Sequence, residues 1–282
     1  MTIRRACIIG HPVAHSRSPL IHRHWLAEHG IAGDYVRENI PPEKIEDFLA
    51  GFAVSGYVGA NVTVPHKEAA FRAVARAEPE AAALAAVNTL WFENGRLAGA
   101  NTDVHGFLAC LDEALPDWTE RTRTAVVIGA GGAARAVLYG LIVRGVGRLA
   151  VINRTKARAE ALADMFGPRV GTGGFEDLPK RLREADLLVN ATSLGMRGQP
   201  PLEIDLSRLK SGAAVYDIVY VPLVTPLLAA ARASGHPAVD GLGMLLHQAV
   251  PGFERWFGVR PQVTPALRTL VLADLAAKEQ AG

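Results

Sequence analysis

Thr124-Ala125-Val126-Val127-Ile128 runs directly into Gly129-Ala130-Gly131-Gly132-Ala133-Ala134. An uninterrupted apolar and β-branched run is the pattern of a strand covered on both faces. The G-x-G-x-x-A behind it is the pattern of a strand-to-helix turn that admits a dinucleotide. The first glycine permits the tight turn, the second lets a pyrophosphate reach the backbone, and the alanine keeps helix and strand close. A glycine-rich turn without a ligand has the same letters, so the surrounding rhythm carries the reading. Downstream, helical and strand-like segments alternate at 133–143, 149–152, 157–165, 178–184, 186–190, 213–217 and 226–233, which predicts a doubly wound α/β domain.

Upstream, short β-like and helical runs alternate at 4–9, 20–29, 34–39, 44–52, 57–62 and 68–76, the βαβ rhythm of a mostly parallel sheet. A hairpin follows at 89–92 and 96–98, turned by Glu93-Asn94-Gly95. After Asp240, two helical segments at 242–257 and 265–278 have no strand of their own and must pack onto something already built. The fold class expected is therefore α/β: an open, mostly parallel N-terminal domain, a Rossmann-type doubly wound domain, and C-terminal helices returning to the first. The boundaries expected are 1–103 with 241–282 for the first domain and 104–240 for the second.

A length of 282 residues, 49% of them hydrophobic, suits two domains with large cores. Thirty basic residues against 28 acidic leave a net charge of +2 without a basic run, which argues against a nucleic-acid partner. Cys7 and Cys110 alone make no disulfide framework, so a reducing, cytoplasmic setting is expected. The N-terminal apolar run ends at Gly10 and reads as a strand, and no window of about 18 uncharged apolar residues predicts a membrane span. His22 and His24 fall on different helix faces and no cysteine cluster is present, so no metal is expected.

At the end of the strand following the glycine turn, an NAD-binding domain would carry an acid for the ribose. This chain has Asn153-Arg154-Thr155-Lys156, with Arg158 beyond. A guanidinium there suits a 2′-phosphate, which predicts NADP; Asn153 or Thr155 as a helix cap is compatible with that.

Three segments of the first domain carry polar residues at helix starts. In His15-Ser16-Arg17-Ser18-Pro19, Ser18 reads first as an N-cap, while Ser16 and Ser18 on one side of an extended segment would also make a small anion site. In Asn61-Val62-Thr63-Val64-Pro65-His66-Lys67, Pro65 is expected in the first helical turn. Lys67 sits at the positive end of that helix, which disfavours a cation by about 0.3–1 kcal/mol, and it is either a solvated lysine or an acid–base group. In Asn101-Thr102-Asp103, Asp103 is by default a cap; side by side with Lys67 it would instead form a pair able to act on a hydroxyl or carbonyl. Asn88 reads as a turn former and Gln248 as solvated polar face or as a finger toward a polar ligand, and Pro251 should bend the helix.

Taken together, these segments resemble the shikimate dehydrogenases. The shared motifs run in order along the chain: those above, Val87-Asn88-Thr89, Asn190-Ala191-Thr192-Ser193-Leu194-Gly195-Met196, Thr225-Pro226-Leu227-Leu228, and Gly241-Leu242-Gly243-Met244-Leu245 with Gln248. The resemblance implies NADPH-dependent, reversible reduction of 3-dehydroshikimate to shikimate, on the way to chorismate and the aromatic amino acids. It further implies that Lys67 and Asp103 are catalytic. Ser16 and Ser18, with Tyr220, would hold the substrate carboxylate, and Thr63, Asn88 and Gln248 the ring hydroxyls. Gly129, Ala130, Gly131, Gly132, Ala133, Asn153, Arg154, Thr155, Arg158, Thr192, Ser193, Met196, Val219, Gly241 and Met244 would bind NADP. Partners implied are small molecules only, with the protein a monomer or homodimer. Quinate/shikimate dehydrogenases with NAD, and a catalytically silent binding module of the same fold, remain alternatives.

Overall fold

The structure, a computed structural model, describes residues 3–280. The chain divides into two compact units, residues 1–105 with 246–282, and residues 106–245.

In the first unit six strands, β1 (Arg4–Gly10), β2 (Gly33–Asn39), β3 (Tyr57–Val62), β4 (Arg76–Ala77), β5 (Thr89–Glu93) and β6 (Arg96–Ala100), lie in the order β2-β1-β3-β5-β6-β4. All pairs are parallel except the two made by β5, which runs against both β3 and β6. The Asn94-Gly95 hairpin causes this, both residues taking positive φ (51° and 73°). The start of β5 therefore lies at the sheet edge where β3 and β6 end, with Thr89 opposite both Asn61 and Ala100. Helices α1 (Ser18–Glu28), α2 (Ile45–Ala50), α3 (Lys67–Ala73) and α4 (Pro79–Leu84) connect these strands, and α5 (Thr102–Ala114) leaves β6 and carries the boundary to the second unit.

The second unit holds β7 (Thr124–Ile128), β8 (Arg148–Ile152), β9 (Val170–Gly173), β10 (Leu187–Asn190), β11 (Ala214–Asp217) and β12 (Ala238–Val239), all parallel, in the order β12-β11-β10-β7-β8-β9. This is the Rossmann order, with the strand sequence reversing between β7 and β10. Five helices accompany it: α6 (Trp118–Arg121), α7 (Gly132–Val143), α8 (Lys156–Asp164), α9 (Leu178–Leu182) and α10 (Pro226–Ala233). Every residue of β7 is buried. Ala125 and Val127 enter one core cluster while Val126 and Ile128 enter the other, the reason this strand shows no alternation.

The segment expected as one bent helix from 242 to 257 is two, α11 (Leu242–His247) and α12 (Val250–Phe257). Pro251 has no N–H to give the His247 carbonyl, and the helical ladder stops between them. In the first unit α12 packs on β1, β3 and β5, and α13 (Pro265–Gln280) packs against α1. The contact of α12 with the sheet is close at Gly59, where a β-carbon would stand 2.0 Å from Trp256 Nε1. The indole occupies that space and donates to the Leu90 carbonyl at 2.8 Å. Around it lie Trp25, Tyr35, Phe253 and the fully buried His22, whose ring stacks on Tyr35 at 4.1 Å. Among the described residues no helix is long and apolar enough to cross a membrane.

Candidate active site

At the carboxyl edge of the first sheet the loops after β1, β3 and β6 and the start of β5 bring their polar residues together. Lys67 opens α3, and its ammonium forms an ion pair with Asp103 Oδ2 in the first turn of α5. Both side chains are mostly covered but reachable, at 23% and 13% exposure. Asn88, just before β5, donates from Nδ2 to Asp103 Oδ1 at 2.8 Å, so both oxygens of the carboxylate are held.

Three helix-start expectations need correction. Asp103 does not cap α5: Asn101 Oδ1 accepts from the Asp103 N–H at 3.2 Å, and Asn88 Oδ1 takes the Thr102 N–H at 2.7 Å. With the orphan donors met by two asparagines, the carboxylate is left for the ammonium. Ser18 is not the N-cap of α1 but its first residue. Arg17 occupies the cap position without a side-chain bond, and Ser16 Oγ accepts the Ser18 N–H at 3.2 Å. The Ser16 hydroxyl also lies 3.2 Å from that of Ser18, so the two are neighbours. Pro65 stands outside α3, in a turn closed by the His66 N–H on the Thr63 carbonyl at 2.9 Å, so that Lys67 begins the helix. The Thr63 side chain is half-buried on that turn. Gln248 falls in the break between α11 and α12 and is half-buried.

In the second unit, Gly129 follows β7 with φ +111°, and a β-carbon there would stand 2.9 Å from the Ala191 carbonyl, so only glycine makes this turn without strain. Gly131 precedes α7 with an extended backbone and no side-chain cap, and a β-carbon at Gly131 or Gly132 would meet no protein atom within 4 Å. The uncapped start of this twelve-residue helix thus has room on its glycine side, next to Ala130 and Ala133, a fit for a pyrophosphate. After β8, Arg154, Thr155 and Arg158 are exposed, and among the described residues neither arginine has a carboxylate partner. Thr155 takes the cap position of α8 without a side-chain bond, while Asn153 Nδ2 donates to the Thr155 carbonyl at 2.8 Å. Two guanidiniums beside that open helix start fit the extra phosphate of NADP.

Beyond β10 and β11 a buried carboxylate, missed in the sequence, organises two loops. Asp217 Oδ1 accepts from Asn190 Nδ2 at 2.8 Å and the Val219 N–H at 3.0 Å, and Oδ2 accepts from the Thr225 hydroxyl at 2.7 Å. Burial pushes this carboxyl above the ordinary carboxylate range, with the three donors acting the other way. Asn190 Oδ1 in turn accepts from the Thr192 N–H at 3.0 Å and hydroxyl at 2.7 Å. These bonds fix the loop that carries Thr192, Ser193 and Met196 and the one that carries Val219 and Tyr220. Ser193 and Met196 are exposed and Tyr220 half-buried; Gly241 is buried, its N–H on the Val219 carbonyl, and Met244 is half-buried on α11. Asp217 closes an apolar run, the position at which a polar residue departs from a buried strand pattern, and that was its available signal.

A Rossmann sheet with an open glycine turn, in a chain whose other unit presents an ammonium–carboxylate pair at its sheet's carboxyl edge, defines a dinucleotide-dependent dehydrogenase. Three family models match: the shikimate dehydrogenase substrate binding domain over residues 8–90, shikimate/quinate 5-dehydrogenase over 113–196, and the shikimate 5′-dehydrogenase C-terminal domain over 241–271. The shikimate dehydrogenase (NADP(+)) of Azorhizobium caulinodans is 60% identical over 99% of this chain and 100% of its own. That of Methylobacterium radiotolerans is 60% identical over 96% of this chain and 98% of its own. Among solved structures, the Thermus thermophilus shikimate 5-dehydrogenase in complex with NADP(H) and shikimate superposes with a TM-score of 0.84 at 36% identity, covering 96% of this chain and 100% of that one. The Corynebacterium glutamicum quinate dehydrogenase in complex with NAD gives 0.89 at 33% identity, covering 96% and 99%. The chain belongs to the shikimate dehydrogenase family and is an NADP-dependent oxidoreductase.

Proposed function

We propose that this enzyme catalyses the reversible NADPH-dependent reduction of 3-dehydroshikimate to shikimate, serving chorismate and aromatic amino acid biosynthesis. The observation that carries the reading is the Lys67–Asp103 pair, held from its far side by Asn88. Bound NADP supplies or accepts two electrons and a hydrogen at the reacting carbon. The Lys67 ammonium gives its proton to the carbonyl oxygen during reduction and takes it back during oxidation. Asp103 holds the ammonium in place and keeps its charge compensated.

The first unit is the substrate-binding unit in this reading. Ser16 and Ser18 take the substrate carboxylate, aided by Tyr220, and Thr63, Asn88 and Gln248 read the ring hydroxyls. The second unit is the NADP-binding unit, with the pyrophosphate at Gly129–Ala133 and the 2′-phosphate at Arg154, Thr155 and Arg158, Asn153 bracing their loop. Thr192, Ser193, Met196, Val219, Gly241 and Met244 complete that site. The enzyme works in the cytoplasm as a monomer or homodimer on small molecules, without nucleic-acid or membrane partners.

Steady-state rates with shikimate and with quinate, each with NADP+ and with NAD+, test the reading. Shikimate with NADP+ is expected to give the highest kcat/KM by tenfold or more over either exchange, a difference of about 1.4 kcal/mol. A preference for quinate with NAD+ would assign the chain to the activity named for the Corynebacterium neighbour.

A further inference from the structure

Beneath the Lys67–Asp103 pair runs a line of buried polar side chains to which the proposed mechanism gives no part. The Tyr35 hydroxyl donates to Asn61 Oδ1 at 2.6 Å, Asn61 Nδ2 donates to Thr89 Oγ1 at 3.1 Å, and Thr89 Oγ1 donates to Asn88 Oδ1 at 3.0 Å. Asn88 Nδ2 then donates to Asp103 Oδ1 at 2.8 Å. Each link points its proton the same way, from the core toward the carboxylate. Tyr35 and Thr89 are fully buried and Asn61 nearly so, which keeps all three from touching a ligand.

The two amides of the line are oriented by partners that can act only one way. The Asn88 carbonyl, which can only accept, takes Asn61 Nδ2 at 3.3 Å and so orients the Asn61 amide, leaving Oδ1 toward the Tyr35 hydroxyl and Nδ2 toward Thr89. With Asn61 donating to it, the single Thr89 hydroxyl proton has two acceptors in reach, Asn88 Oδ1 at 3.0 Å and Thr102 Oγ1 at 3.1 Å, and the Thr102 hydroxyl itself leads back to Asn88 Oδ1 at 3.1 Å, so either path ends on that oxygen. Asn88 Oδ1 thereby accepts from Thr89 Oγ1, from the Thr102 N–H at 2.7 Å and from the Thr102 hydroxyl at 3.1 Å. A reversed Asn88 amide would orphan these donors and set its oxygen against a carboxylate oxygen. Only the observed orientation leaves an N–H on Asp103.

We propose that Thr89, backed by Asn61 and Tyr35, is a positioning residue for the reaction: its hydroxyl locks the Asn88 amide, and the amide aims the Asp103 carboxylate at the Lys67 ammonium. The inference rests on the reading of Lys67 and Asp103 given above. Misplacing a group that must meet the substrate by a fraction of an ångström lowers turnover far more than it lowers binding of a distant cofactor.

Thr89→Val keeps the shape and removes the hydroxyl. Its kcat is expected to fall roughly ten- to a hundredfold, with KM for NADP+ unchanged within about twofold and the limbs of the kcat–pH profile displaced. Thr89→Ser restores the hydroxyl and is expected to recover most of the rate, which a purely packing role for the threonine methyl would not allow. Tyr35→Phe, at the far end of the line, is expected to lower kcat severalfold, and it decides the matter should Thr89→Val not fold. Lys67→Ala, assayed in parallel, separates the two levels. If it is inactive while Thr89→Val, or in its place Tyr35→Phe, turns over like wild type, the positioning role is overturned and the reading of the site stands. If Lys67→Ala is itself active, both fall.

Discussion

Lys67 and Asp103, 36 residues apart in the chain, meet because one opens the helix after β3 and the other the helix after β6, two strands that end at the same edge of one sheet. Lys67→Ala is expected to lower kcat by about 10²–10⁴-fold with a modest change in KM for shikimate, the signature of a lost proton donor. Asp103→Asn keeps the shape but removes the charge, and is expected to fall within the same range. Steady-state kinetics in both directions measures this.

Arg154 lies exposed after β8, where its guanidinium is available to a 2′-phosphate. Arg154→Ala is expected to raise KM for NADP+ roughly ten- to a hundredfold, the loss of one charge-assisted bidentate contact, and to leave KM for NAD+ nearly unchanged. Titration of NADPH fluorescence against both the variant and the wild type gives the binding constant directly. Equal losses for both cofactors would move the phosphate site elsewhere.

Asp217 is wholly buried and holds donors from Asn190, Val219 and Thr225. Asp217→Ala leaves the Val219 N–H and the Thr225 hydroxyl without their acceptor and Asn190 Nδ2 with only the Leu194 carbonyl at 3.1 Å, and on the order of 3 kcal/mol of stability is expected to go with it. Denaturant unfolding reads that loss. Because the two loops it ties carry Thr192 and Val219, the folded fraction is also expected to show a raised KM for NADP+.

His22 is packed among aromatic rings, and burial lowers its pKa to about 3, with the Asn61 side chain acting the other way. The unfolded chain, near the ordinary value of about 6.5, binds a proton that the folded chain refuses between those two values. Stability is therefore complete above about pH 6.5 and declines as the pH falls, by about 2 kcal/mol at pH 5 from this group alone. His22→Phe removes the titrating ring and is expected to flatten that acid limb. Urea unfolding of both proteins at pH 7 and pH 5 shows whether it does.

The continuous run at 124–128 and the glycine turn behind it announced the Rossmann sheet, since both follow from local covalent geometry and from burial on two faces. Polar residues at strand ends were legible too, because Ser16, Lys67 and Asp103 break their patterns at helix starts. What stayed hidden was which side chain would serve which orphan N–H. The Asp103 sequence reads as a cap, and it is displaced from that task by its neighbour Asn101 and by Asn88, which arrives through the reversed direction of β5. The same reversal hid the line from Tyr35 to Asn88, whose members lie on β2, β3 and β5 and come together only through sheet register. Asp217 was passed over because its partners stand 27 and 8 residues away, at the end of β10 and at the cap of α10, a meeting that no local pattern announces.

The lock between Trp256 and the backbone at Gly59 and Leu90 has a bearing on how the chain matures. On a ribosome the strands of the first sheet emerge early, yet the tryptophan that seals one of their faces is made more than 160 residues after Leu90. The unit at 106–245 is contiguous and has all its parts before that residue appears. Synthesis from the N-terminus thus delivers the unit at 106–245 with all its parts while the unit begun first still waits, its β-sheet in need of shelter until the last helices arrive.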